Sequence, residues 1–206
     1  MSHSGQNGGS PANERPNEGW LDAAASCYTR FGLAKTTVED VAQAAGVSRA
    51  TLYRHFKNRD ELLVAVIVRE AGRLAAEADV TIRRFDDVGS WIVEGMLLCL
   101  REIPRRPLLA MLFAPEAVGP ASRLVLTSER LLAIGANFLR PMFERAREQG
   151  LLRESVQIEV LMEWVLRILM SYLAVPGPSE RTEEDLRRLL RGMLLPAVLA
   201  GGDPHA

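Results

Sequence analysis

Apolar residues recur at three- and four-residue spacing along almost the whole of this chain, and that period constrains the fold more than any other feature. Residues so spaced line one face of an α-helix and would scatter over both faces of a strand. The reading is therefore all-α. "WLDAAASCYTRFG" predicts a first helix ending near Gly32, and "TVEDVAQAAG" a second, with Thr37 as N-cap and Asp40 three residues on. "SRATLYRHF" predicts a third, capped by Ser48. "NRDELLVAVIVREAGRLAAEADVTI" predicts a long fourth over 58–82, with Asn58 as cap and Asp60 and Glu61 in its first turn. Past a turn at Asp86–Asp87, helices are expected near 87–102, 105–114, 121–149, 156–175 and 182–200. Pro104, Pro107, Pro115, Gly119–Pro120, Gly150 and the "PGP" at 176–178 punctuate them, and Pro141 is expected to kink the helix that contains it.

The chain has 206 residues, 48% of them hydrophobic and 25% charged, enough to bury a sizeable core. Its formal net charge is −1, so any contact with nucleic acid must come from a local patch rather than from bulk charge. The histidines are His3, His55 and His205. Two lie in the tails, which leaves the interior without a histidine-based metal site or a Ser-His-Asp or Cys-His arrangement. There is no Gly-rich phosphate loop and no CxxC, so neither an enzyme nor a cofactor or metal is expected. Cys27 and Cys99 lie within apolar helical patterns and read as buried, reduced thiols. The most apolar window, "VLMEWVLRILMSYLAV", is interrupted by Glu163 and Arg167, so no membrane span is expected and the protein reads as soluble and cytoplasmic. Residues 1–17, rich in Gly, Ser, Asn and Pro, read as a disordered tail.

The stretch "VAQAAGVSRATLYRHF" carries the chemistry. Gly46 separates two helical patterns where a tight turn at positive φ is required. Ser48 caps the helix that follows, with Val47 and Leu52 placed as a hydrophobic staple. At about 100° per residue, Leu52 and Phe56 point inward, while Ala50, Thr51, Tyr53, Arg54 and Lys57 share the opposite arc and Arg49 sits at its edge. From Val47 to Arg59 the charged side chains are Arg49, Arg54, Lys57 and Arg59, with no acid before Asp60. A short capped helix with a basic and aromatic face, set after a glycine turn, suits the major groove, about 12 Å wide. Arg49 can reach guanine O6 and N7, and Ala50 can pack on a thymine methyl. Thr51 and Tyr53 can bond bases or phosphates. Arg54, His55, Lys57 and Arg59 suit phosphates, as do Ser48 and the backbone N–H of Thr37 at helix starts. His55 lies off the main arc, and a structural role for it stays open. A charged exposed face is also the ordinary state of a surface helix.

The run "FGLAKTTVEDVAQAAGVSRATLYRHFKNRDELLVAV" resembles the N-terminal domain of TetR-family transcriptional regulators, sharing Phe31-Gly32, Thr37-Val38, Ala42, Ala45-Gly46-Val47-Ser48, Thr51-Leu52-Tyr53, His55-Phe56 and the closing "DELL" at 60–63. It departs at Arg59, where the family usually has lysine; the charge is kept, and with it the expected phosphate role. Beyond this run the chain resembles the family only in helix count, length and the apolar style of its last two helices. The resemblance implies a three-helix helix-turn-helix DNA-binding domain over 18–64 and a helical ligand-binding and dimerisation domain over 65–201, joined by the helix at 58–82. It further implies a homodimer, a palindromic double-stranded DNA operator and a small hydrophobic effector.

The resemblance places the dimer interface on the last two helices, at Leu161, Val165, Ile168, Tyr172, Leu186, Leu190, Met193, Leu194 and Ala197; from the residues alone the same stripes could be intramolecular core. For the effector, Trp91, Met96, Cys99, Met111, Phe113, Phe138, Met142 and Trp164 are adaptable apolar side chains suited to a cavity, or to an ordinary core. Glu94, Asn137 and Arg167 interrupt apolar patterns and could orient a ligand, although Arg167 can equally pair with Glu163 four residues back. The expected function is a repressor released from its operator by an apolar or amphipathic small molecule. The alternatives are a ligand-independent or partner-dependent DNA binder with a filled core, and a regulator activated by a co-repressor.

Overall fold

The computed structural model describes residues 18–113, 123–124, 126–175, 177 and 179–201. The expected tail at 1–17, the start of the helix expected at 121, and the punctuation at Pro115, Gly119–Pro120, Pro176 and Pro178 lie outside the described residues. Among the described residues every regular element is helical, apart from one isolated bridge between Leu152 and Leu199.

Four helices form the N-terminal part: α1 (Glu18–Phe31), α2 (Val38–Ala44), α3 (Arg49–His55) and the long α4 (Arg59–Ile82). The expected caps are in place. The Thr37 hydroxyl accepts from Asp40 N–H, Ser48 from Thr51 N–H, and Asn58 from Glu61 N–H. Gly46 takes φ +67°, with its N–H on the Gln43 carbonyl and the Val47 N–H on the Ala42 carbonyl. That pair of bonds is a Schellman end, which terminates α2 and turns the chain into α3 within two residues. α1 packs on both α2 and α4 over a core that includes Tyr28, Val41, Leu52 and Val66.

The C-terminal part holds α5 (Val88–Glu102), α6 (Pro107–Ala110), α7 (Glu129–Glu148), α8 (Ile158–Ala174), α9 (Glu183–Met193) and α10 (Leu195–Val198). Three differences from the sequence reading share one cause, the loss or capture of a backbone N–H. The helix expected at 105–114 is instead a 3₁₀ turn at Ile103–Arg105, the single-turn α6 and a second 3₁₀ turn at Met111–Phe113. Pro104 and Pro107 cannot donate within a helix and are tolerated only at helix starts, so the chain restarts at each. The helix expected at 182–200 breaks at Leu194, because Pro196 fits only in the first turn of a new helix. Ser128 caps α7 and so marks its start within the span expected to begin at 121. α7 runs through Pro141 as a single helix.

The interior consists of two apolar clusters. One joins α1–α4 to Leu98 of α5 and to the α6 region; the other joins α5, α7, α8, α9 and α10. Cys99 and Phe138 pack against both. The bidentate ion pair of Arg187 with Glu94, at 2.7 and 3.1 Å, fastens α9 to α5.

Candidate nucleic-acid interface and apolar cavity

The first site is the outer face of α3. Leu52 and Phe56 are buried beneath it, while Ala50, Tyr53, Arg54 and Lys57 are exposed and Thr51 is half-buried. The Arg54 and Lys57 side chains have no ion pair among the described residues and are open to an external anion. Arg49, more than half exposed, pairs with Glu39 of α2. The sequence reading missed this partner, because Glu39 comes ten residues earlier and only the helix-turn-helix brings it near. Thr51 Oγ1 lies 2.9 Å from Ser48 Oγ, so both hydroxyls are already engaged in the cap.

Three of the expected DNA contacts have other uses here. The Thr37 backbone N–H donates to the Asp40 carboxylate at 2.8 Å, closing a capping box rather than staying open for a phosphate. The Thr37 hydroxyl donates to the same carboxylate, and these bonds hold the Asp40 carboxyl below its usual range. Arg59 turns inward and its guanidinium donates to the Leu33 carbonyl, which braces the α1–α2 loop against α4. The arginine so placed is half-buried. The His55 ring stands edge-on to Trp20, with centroids 4.8 Å apart, and ties the end of α3 to α1.

The second site is a cavity of about 200 Å³ between α4, α5, α7 and α8, closed at one end by the α6 region. Trp91, Met96, Cys99, Phe113 and Phe138 line it, as expected positions for an effector. Leu132 joins them, as does Val165, which the sequence reading assigns to a dimer interface. Most of the rest of the wall was not singled out from sequence: Ile67, Ala71, Leu74, Ala75 and Ala78 from α4, Gly95 from α5, Met162 and Leu166 from α8. These residues are small or ordinary aliphatic ones, and nothing in one helix read alone distinguishes them from core.

The wall offers almost no polar group. The Trp91 indole N–H donates to the Phe85 carbonyl at 2.8 Å and is not available inside. Burial pushes the Cys99 thiol up to about 11, so it stays protonated near neutral pH.

The polar residues expected to orient a ligand are elsewhere. Asn137 is exposed. Glu94 is paired with Arg187. Arg167 pairs with Glu163 at 2.7 Å on the surface, so the local i,i+4 alternative holds. Helical direction explains all three, since none of them points into the cavity. Met111 and Met142 do not line the cavity either; Met142 is buried in the second cluster. Trp164 points out of the protein, 59% exposed.

The residues expected at a dimer interface divide in two. Leu161, Val165 and Leu190 are buried within one protomer, and Ile168, Leu186 and Leu194 pack against the same cluster. Tyr172, Met193 and Ala197 are exposed. With Trp164, Val160 and Val175 they leave an uncovered apolar surface on α8 and the end of α9.

Residues 21–66 match the model of bacterial regulatory proteins of the tetR family. An uncharacterized HTH-type transcriptional regulator of Mycobacterium tuberculosis is 31% identical over 178 residues, covering 86% of this chain and 83% of its own. Among solved structures, the R. erythropolis TetR-family transcriptional repressor QsdR superposes with TM-score 0.63 at 25% identity, covering 85% of this chain and 92% of that one. The TetR-family repressor AlkX from Dietzia sp. strain DQ12-45-1b, implicated in n-alkane biodegradation, superposes with TM-score 0.60 at 25% identity, covering 88% and 95%.

Proposed function

The chain belongs to the tetR family of bacterial regulatory proteins and is a DNA-binding transcriptional regulator; from that premise we propose that it is a homodimeric repressor released from a palindromic operator by a neutral, apolar small molecule. The observation that carries the reading is the position of the cavity. Its walls come from both apolar clusters, and α4, which carries the helix-turn-helix at its start, forms one side of it. A ligand that fills the cavity better in one arrangement of α4 than in another shifts the spacing of the two recognition helices, and with it the fit to two half-sites. An open cavity lined by Trp91, Phe113 and Phe138 also counts against the filled-core alternative. The n-alkane connection of the Dietzia relative is consistent with an apolar effector.

The operator is obtained by capturing genomic fragments on the protein and sequencing them. Neutral hydrocarbons are then titrated into the protein–operator complex and followed by fluorescence anisotropy. The expected result is a roughly 5–150-fold loss of operator affinity, the usual range of such coupling. A hydrocarbon that binds the protein and leaves that affinity unchanged sinks the repressor-release mechanism.

The Arg49–Glu39 pair gives a second test at the DNA surface. With the acid in place Arg49 has a fixed direction, and its charge is partly screened from non-specific phosphates. A Glu39→Gln variant is expected to bind non-operator duplex more tightly and to discriminate operator from non-operator by a smaller factor. Measuring both affinities at one salt concentration reads the ratio. If the ratio is unchanged, Glu39 does not position Arg49.

A further inference from the structure

The glycines of the C-terminal helices fall into two kinds. A Cβ at Gly89 would meet Leu195 Cδ1 at 3.0 Å, and one at Gly135 would meet the Met162 methyl at 2.5 Å. Glycine at Gly89 and Gly135 thus sits against neighbouring side chains, although the Met162 methyl is the end of a flexible chain. Gly95 and Gly192 have no such neighbour, and of these two only Gly95 lines the cavity. It lies in the interior of α5 without a positive φ. A Cβ there would meet only Phe138 Cε1, at the ordinary contact distance of 3.8 Å. Glycine in a helix interior weakens the helix relative to alanine, so neither backbone conformation nor packing favours it here. What a side chain at 95 would remove is space. Gly95 is at the middle of the cavity-facing stripe of α5, flanked by Trp91 and Ile92 one turn before it and by Met96 and Cys99 beyond.

We propose that Gly95 is the residue that sets which effectors the cavity admits: its missing side chain makes room for a rigid, ring-sized apolar moiety laid on the α5 backbone beside the Trp91–Phe138 pair. Those two rings stand 5.5 Å apart between centroids and tilt 34° to each other. They offer aromatic surface to a ring seated over Gly95. The wall there supplies no hydrogen-bonding partner, so the seated part of the ligand carries no polar group. Ala71 and Ala75 of α4, the helix that carries the DNA-binding head, line the same cavity and are small as well. The inference rests on the reading of the cavity as the effector site and adds the residue that gates its size.

The test uses naphthalene as probe, the full-length protein, and the variants Gly95→Ala and Gly95→Leu. Calorimetry reads binding, and thermal melting reads stability with and without probe. Gly95→Ala is expected to melt at or above the wild-type temperature and to bind naphthalene more weakly. Gly95→Leu is expected to lose naphthalene binding while keeping the helical far-UV dichroism of the wild type. If the wild type binds naphthalene and both variants bind it equally well, Gly95 does not set the size and the inference is overturned, while the cavity still stands as an effector site. If Gly95→Leu does not fold, equal affinity in Gly95→Ala overturns the inference alone. If the wild type neither binds naphthalene nor gains stability from it, the reading of the cavity as a site for ring-sized hydrocarbons falls, and the role of Gly95 falls with it.

Discussion

Replacing Trp164 with arginine is expected to leave each protomer folded, abolish self-association and reduce operator affinity by at least a hundredfold. Val160 and Trp164 share one side of α8, Tyr172 near its end and Val175 just past it are exposed as well, and Met193, 76% exposed, adds apolar surface at the end of α9. This uncovered apolar surface is the face we propose for the homodimer, and a two-fold pairing of it would bury each ring once from either side. Each Trp164 has roughly 150 Å² left to cover, about 3–4 kcal/mol at about 25 cal/mol per Å². An arginine there loses that term twice per dimer and adds two facing charges. The protomer does not depend on the ring, because the core side of α8 is made by Leu161, Val165 and Leu169. Sedimentation equilibrium reads the oligomer, far-UV circular dichroism reads the fold, and anisotropy reads the operator. A variant that remains a dimer at micromolar concentration refutes the assignment of this face.

Leu52→Ala is expected to destabilise the DNA-binding head by about 2–5 kcal/mol, the usual cost of opening a leucine-sized cavity in a core. Leu52 is fully buried and is the one buried residue of α3. A two-turn helix cannot hold its place by propensity alone, so its recognition face depends on this anchor. Thermal melting followed by near-UV dichroism and by DNA binding is expected to separate two transitions, with DNA binding lost at the lower. The C-terminal cluster does not include Leu52 and retains its own transition. A single melt at the wild-type temperature would show that α3 is held by its neighbours without Leu52.

The DNA-binding head was legible from sequence because its determinants are local. Thr37, Ser48 and Asn58 cap the helices that follow them, and Gly46 turns the chain through bonds to residues three and five positions back. Such interactions depend on spacing along the chain, and spacing is what a sequence displays. What the sequence did not display in the head has the opposite character. Arg49 meets Glu39, Arg59 meets Leu33, and His55 meets Trp20, each through a turn or a helix crossing that a single helical projection does not contain. The same limit applies to the breaks at Leu194 and in 105–114 only in part, since Pro104, Pro107 and Pro196 announce them and helical periodicity continues past them.

The C-terminal half divides along the same line. Sequence determined that these segments are helices and which side of each is apolar, because the 3.6-residue period is a property of one helix. It did not determine what each apolar side faces. Trp164 and Val165 are neighbours in a single stripe, yet one is on the surface and the other on the cavity wall. Glu94 interrupts an apolar run and reads as a ligand contact until Arg187, far along the chain, is seen to hold it. Only the tertiary structure decided these points, and it also left the space beside Gly95, because a cavity belongs to no single residue and exists only where four helices fail to close on one another.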